Sequence, residues 1–197
     1  QREDWLQQFG NVWICVKEKV ICDDKTFPSR LVIFEGGVKV DFSFLSTDML
    51  EAAVRDVPNR EFKVLLDKEN KAFGVSPKHD ATKVEKPSEQ EFKDLVGEFW
   101  FEVYHIGVSL ARHDLWSVKF RSSVAHTFLL QMMEWHSKVK SKWLHSLPPN
   151  GKWMSTWISS DLWKDLHSIY AHFDAQDSWT ALFHLMEMFR RLSLSPL

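Results

Sequence analysis

Cysteine is nearly missing from this chain: Cys15 and Cys22 are the only two in 197 residues. Two thiols are too few for a disulfide framework, and reduced thiols in a cytoplasmic protein are expected. No apolar run approaches the roughly 20 residues of a bilayer-spanning helix, so no membrane segment is expected. Cationic excess is absent as well, since 25 Lys and Arg against 27 Asp and Glu leave a net charge of −2. Nucleic acid, which needs a basic surface, is therefore not expected as the main partner. The polar start Gln1-Arg2-Glu3-Asp4-Trp5 is unlike a signal peptide and lacks an initiator Met, which reads as a processed or partial sequence. The GxxxxGK, GxGxxG, GxSxG and HExxH motifs are all missing. His126, His136 and His184 are read as helix-surface or core residues rather than metal ligands, because no His or Cys pair has zinc spacing.

What is present is an ordinary globular composition, 44% hydrophobic and 26% charged, long enough for one large domain or two small ones. Ten Trp and fifteen Phe stand out, and their helix-compatible spacing in the second half points to core packing. The organising stretch is Arg30 to Leu45, where two apolar runs flank Gly36-Gly37 and predict a tight hairpin. Strand alternation puts Val38, Val40, Phe42 and Phe44 on one face and Lys39, Asp41 and Ser43 on the other. A two-residue turn would set Val32 opposite Asp41 and Phe34 opposite Lys39. Asp is a residue that strands avoid, and beside apolar neighbours its carboxylate needs a cation or a donor. The alternative is a solvated polar face on an edge strand.

Around the hairpin, Asp4 to Phe9 predicts a short helix. Asn11 to Val20 predicts a strand alternating Val12, Ile14 and Val16 against Trp13, Cys15 and Lys17. Asp23 to Ser29 reads as loop, Thr47 as the N-cap of a short helix, and Phe62 to Asp67 as another strand. Lys68 to Lys86 is polar and connects two halves. From Pro87 the pattern becomes helical. Ser88 and Glu91 form a capping box, followed by Phe92, Leu95, Val96, Phe99, Val103, Ile106 and Leu110 at steps of three and four. A second helix is expected from Asp114 with Trp116, Phe120, Val124, Leu130, Met133 and Trp135. Three more are expected over Gly151 to Ile158, Asp161 to Tyr170 and Ser178 to Leu192. The first third is thus strand-rich and the rest a helical bundle, an α+β arrangement.

Candidate chemistry narrows to Asp41, to the acids Glu91, Asp94, Glu98 and Glu102 on one helix, and to the turn from Asn150 to Trp153. Glu98 flanks an apolar stripe, where partial burial would tune it toward a general base; an exposed boundary carboxylate is the other reading. Lys152 follows a Gly at an expected helix start, which suits an anion or a plain solvated Lys. In order and spacing, the series FEGGVKVDFSF (34–44), VLLDK (64–68), Lys86-Pro87, Glu91-Phe92, EFW (98–100), LAR (110–112), MMEWH (132–136) and Gly151-Lys152 resembles the aminoglycoside 6-adenylyltransferases (streptomycin adenylyltransferases). The resemblance runs from about Trp5 to Leu192.

That resemblance implies a partial nucleotidyltransferase-type mixed sheet over 1–86 and a C-terminal helical domain over 87–197. It implies transfer of AMP from ATP to a streptomycin hydroxyl with Mg²⁺, and Asp41 matches the third metal-binding carboxylate of the family. Glu98 falls in the Glu-Phe-Trp block and is the candidate base. Lys152 and Arg112 match family positions, with triphosphate contact expected for Lys152 and a helix C-terminal role open for Arg112. The acids Asp41, Glu98 and Glu102 also suit a polycationic substrate. In the family, a Gly-Ser turn and an Asp-x-Asp pair precede the segment that starts here at Trp5, and neither occurs in this sequence. An N-terminally truncated chain is therefore expected, one that alone releases no pyrophosphate from ATP plus streptomycin. A non-catalytic relative binding nucleotide, drug or protein, and a nucleotidyltransferase with another acceptor, are the alternatives.

Overall fold

A computed structural model describes residues 4–55, 63–72, 86–144 and 146–195. The chain divides into two compact units, 1–80 and 81–197.

The first unit opens with a 3₁₀ turn, Asp4–Gln8. Three antiparallel strands follow in the order β1 (Val12–Cys22), β2 (Lys25–Phe34) and β3 (Lys39–Ser43). The tight two-residue turn is not at the glycines. It is at Asp23-Asp24, with φ of 43° and 60°, between the paired residues Cys22 and Lys25. Asp tolerates the left-handed region better than most residues, and a turn with both φ positive matches the twist of a hairpin. The expected loop over Asp23 to Ser29 is thus corrected: β2 begins at Lys25, and Pro28 pairs with Lys19 inside the strand.

Gly36-Gly37 closes a longer turn. Phe34 N–H donates to Val38 O at 2.9 Å and Gly37 N–H to Phe34 O at 3.0 Å, leaving Glu35, Gly36 and Gly37 in the loop. Both glycines have φ above 80°, which glycine alone adopts freely. The extra loop residue shifts the register by one from the expected pairing, so Leu31 faces Asp41 and Val32 faces Val40. A one-residue shift decides which side chains share a face. Here it gathers Val32, Phe34, Val40 and Phe42 with Leu6 and Trp5 into a small core. In β1 the expected alternation is broken by a bulge between Val12 and Ile14. Val12 and Cys15 therefore both reach that core, while Ile14 and Val16 are exposed.

A 3₁₀ turn, Thr47–Met49, with Ser46 rather than Thr47 as its N-cap, runs into α1 (Leu50–Arg55). Residues 63–67 form no strand, contrary to expectation, and Phe62 lies outside the described residues. Instead the Asp67 carboxylate accepts the Lys71 and Ala72 amides at 3.0 and 2.8 Å, local bonds that hold a loop and depress its pKa. Of the connection over Lys68 to Lys86, residues 73–85 fall outside the described set.

The second unit is a helical bundle. The capping box forms as expected at the start of α2 (Glu89–Ala111): Glu91 N–H donates to Ser88 Oγ at 3.2 Å and Ser88 N–H to Glu91 Oε2 at 2.7 Å. Replacing Ser88 by Ala is expected to cost about 1 kcal/mol in urea denaturation. The helix α3 (Leu115–Lys140) is capped by Asp114. Its buried face is Val118, Ala125, Leu129, Met132 and Met133; the expected stripe is wrong in its first turns, since Trp116 and Phe120 are exposed. No continuous helix covers Gly151 to Ile158, because Asn150, Gly151 and Trp153 are left-handed and split it into 3₁₀ turns Pro149–Gly151 and Met154–Thr156. A short α4 (Ser160–Asp165) leads through a 3₁₀ turn, Leu166–Ile169, to α5 (Ala175–Ser193).

The core joins Phe99 and Ile106 of α2, Leu129 and Met132 of α3, and Leu185 and Phe189 of α5. Phe99 stacks on Phe189 with ring centroids 3.6 Å apart. The aromatic excess is only partly spent here: no Trp is fully buried, and Trp13, Trp116, Trp153 and Trp163 are exposed.

Two half-buried histidines of α3 link this core to pH. His126 Nε2 lies 3.2 Å from Ile169 O and His136 Nε2 lies 2.8 Å from Leu192 O. Burial pushes both imidazoles below their ordinary 6.5, against the raising effect of those carbonyls. The unfolded chain therefore binds more protons than the folded one once pH falls past 6.5, and stability declines from there downward. Burial pushes Glu134 above its ordinary 4.5, so its protonation on further acidification favours the fold and opposes that decline. Urea midpoints measured across pH are expected to drop below neutrality, and the double variant His126→Gln, His136→Gln to flatten that slope.

Candidate functional site

In the first unit the site candidate is the sheet face carrying Asp41. The strand register lines up Val16, Leu31 and Asp41 in one row and Ile14, Ile33 and Lys39 in the next. Asp41 is thus set among apolar neighbours, as its strand position predicts, but with Leu31 rather than Val32 beside it. It is not buried. Its side chain is 49% exposed, and Lys39 Nζ, two residues back on the same face, pairs with it at 2.8 Å. An exposed ion pair of this kind contributes little to stability. The carboxylate is open to solvent and held by one cation. Among the described residues no group of three His, Cys, Asp or Glu side chains is arranged to hold a metal ion.

The other three candidates belong to the second unit. Glu98 lies exposed on α2, so the partial burial expected of it is not found. Arg112 is the exposed C-cap of the same helix, its backbone N–H reaching Val108 O and Ser109 O at 3.2 Å. They stand fourteen positions apart, about 21 Å along the axis, so α2 does not bring them together. Lys152 is not at a helix start. It sits between the two 3₁₀ turns, with its Nζ 4.3 Å from the centre of the Trp153 ring. Its carbonyl accepts from Trp157 Nε1 at 3.1 Å, and among the described residues no carboxylate pairs with its ammonium.

The buried acid of this unit is Glu102, 6% exposed, which accepts from Arg121 Nη1 on α3 at 2.9 and 3.2 Å. It is committed to that ion pair, which corrects the expectation that it faces a cationic substrate. Helical spacing could have revealed it: Glu102 lies three residues after Phe99 and four before Ile106, inside the buried stripe. A second polar knot is Lys119, whose ammonium donates to Ser178 Oγ at 2.8 Å, to Ala171 O at 3.1 Å and to His172 O. Burial lowers its pKa. With three donors and three acceptors it ties the segment before α5 to α3. Nothing in the local sequence marks that role.

A three-stranded antiparallel sheet followed by a helical bundle has a counterpart among solved structures. The crystal structure of an aminoglycoside 6-adenyltransferase from Bacillus subtilis matches with a TM-score of 0.52 at 23% identity, over 98% of this chain and 73% of that one. The fold is therefore that of an adenylyltransferase with a sheet unit and a helical unit. A curated relative, aminoglycoside 6-adenylyltransferase of Bacillus subtilis (strain 168), is 28% identical over 98% of this chain and 70% of its own length. One of the same name from Campylobacter jejuni is 27% identical over 97% of this chain and 67% of its length. The family model described as streptomycin adenylyltransferase matches residues 1–195, and the chain belongs to that family.

Proposed function

We propose that this protein transfers AMP from ATP to a hydroxyl of an aminoglycoside such as streptomycin. The observation that carries the reading is the family match over residues 1–195. In this reaction the acceptor oxygen bonds to the α-phosphorus, the bond to the β-phosphate oxygen breaks, and pyrophosphate leaves. Residues 1–86 are the nucleotidyltransferase part and 87–197 the helical domain. No described helix is long and apolar enough to cross a membrane, and a cytoplasmic site, where ATP is supplied, fits the two free cysteines.

Asp41 is the proposed ligand for Mg²⁺. Magnesium usually takes one or two protein carboxylates and fills its other positions with phosphate oxygens and water. Half exposed, Asp41 can supply one such position once the ion takes the place of the Lys39 ammonium that now pairs with it. Bound there, the ion would offset triphosphate charge and help activate the attacking hydroxyl. Glu98, exposed on α2, is the proposed acceptor of the hydroxyl proton. Lys152, with no carboxylate to satisfy it among the described residues, is the proposed triphosphate contact, and Arg112 is a second cation of the same kind or a cap of its helix dipole.

The test uses the protein expressed from its complete reading frame. ATP, Mg²⁺ and streptomycin together are expected to release pyrophosphate, and omission of the drug to stop it. Release that ignores the drug, or none with any aminoglycoside, would overturn the reading.

A further inference from the structure

The loop carrying Lys152 is strained. Asn150, Gly151 and Trp153 have φ of 57°, 68° and 53°. For a bulky aromatic residue such a φ is a genuine outlier, and strain of this sort persists only where the surroundings hold it. They do so here. A Cβ on Gly151 would stand 2.9 Å from Met154 Cε and 3.3 Å from Leu130 Cδ1, so the loop lies close against α3. Thr156 Oγ1 donates to Trp153 O at 2.8 Å and Trp157 Nε1 to Lys152 O at 3.1 Å.

Trp153 of this loop, Trp163 of α4 and Tyr170, which follows the 3₁₀ turn Leu166–Ile169, are not buried. Trp153 is 65% exposed, Tyr170 64% and Trp163 43%. Together with Met154, Leu166 and His167 they line an open cleft of about 750 Å³ within the helical unit. That size is within the range of small-molecule sites, and few polar groups among apolar walls is their usual make-up. A flat aromatic wall accepts any nucleobase by its π-face. The ammonium of Lys152 stands over one wall, Trp153, and lacks a carboxylate partner among the described residues. It would repel a polycationic drug and attract phosphates. Of the two substrates, the charge favours the nucleotide.

We propose that the cleft of Trp153, Trp163 and Tyr170 seats the adenine ring of ATP, with the Lys152 ammonium, which lies over the Trp153 ring, directed to the phosphates. The inference rests on the reading of Lys152 as a triphosphate contact and adds a base site with its own residues. It assigns the three rings a role in selecting a purine nucleotide over free polyphosphate.

Calorimetric titrations of the complete protein with ATP, adenosine, tripolyphosphate and streptomycin separate the parts. Trp153→Asn removes the ring and retains a residue suited to the left-handed region. It is expected to weaken ATP and adenosine by roughly tenfold and to leave tripolyphosphate unchanged. Tyr170→Leu, at an exposed position, is expected to act in the same direction. Lys152→Ala should weaken ATP and tripolyphosphate but spare adenosine. If tripolyphosphate survives Lys152→Ala while adenosine is lost with Trp153→Asn, the phosphate role falls and the base seat stands. Unchanged ATP and adenosine binding in both ring variants would overturn the proposal. So would a wild-type protein that binds no adenosine, or ring variants that lose streptomycin and keep ATP.

Discussion

Asp41→Asn is expected to lower kcat for AMP transfer by about 10²–10³-fold, the order lost when one preorganised charge-stabilising group is removed. The substitution keeps shape and hydrogen-bonding reach but discards the charge that would hold Mg²⁺ at β3. Folding should hardly notice. The side chain is half exposed and its pairing with Lys39 is a surface contact, so stability should change by less than about 0.5 kcal/mol. The measurement is kcat beside a urea midpoint on the same preparation. A large loss of turnover with an unchanged midpoint places Asp41 in the chemistry. Turnover near that of the wild type would remove it, and a collapse of both would make it a structural residue.

The second large effect lies in the helical unit. Arg121→Leu is expected to destabilise the protein by about 2–4 kcal/mol, because it leaves the buried Glu102 carboxylate without its cation. The lower part of that range is favoured by the partial exposure of Arg121, whose side chain is 36% accessible. Pairing it with Glu102→Leu should recover most of the loss, since two apolar groups cost less there than one orphaned charge. Urea denaturation of both single variants and the double variant gives the coupling. Independent effects would mean that solvent, and not Arg121, satisfies Glu102.

The elements best read from the sequence are those specified by local chemistry. The Ser88 box and the stripe from Phe92 to Leu110 mark α2 because capping and helical period both act within a few residues. Sequence pattern and structure part where a single residue of geometry changes everything downstream. The third loop residue at Glu35 and the bulge after Val12 each reverse which side chains meet. The left-handed residues Asn150, Gly151 and Trp153 break an expected helix, held by packing against Leu130 and by the bonds from Thr156 and Trp157. In the candidate site, the strand face of Asp41 was legible from alternation alone. Its exposure was not, because burial depends on what covers the sheet. Lys152 stands out in the sequence, after Gly151 and in a family position, but its aromatic surroundings are set only by the fold.

The most direct test follows the label. With ATP radiolabelled at the α-phosphate, streptomycin is expected to become labelled, and with label at the γ-phosphate it should stay unlabelled while the pyrophosphate carries the counts. Label reaching the drug from the γ-phosphate would mean phosphoryl transfer, and would contradict the assignment of this fold and its Asp41 face to adenylylation.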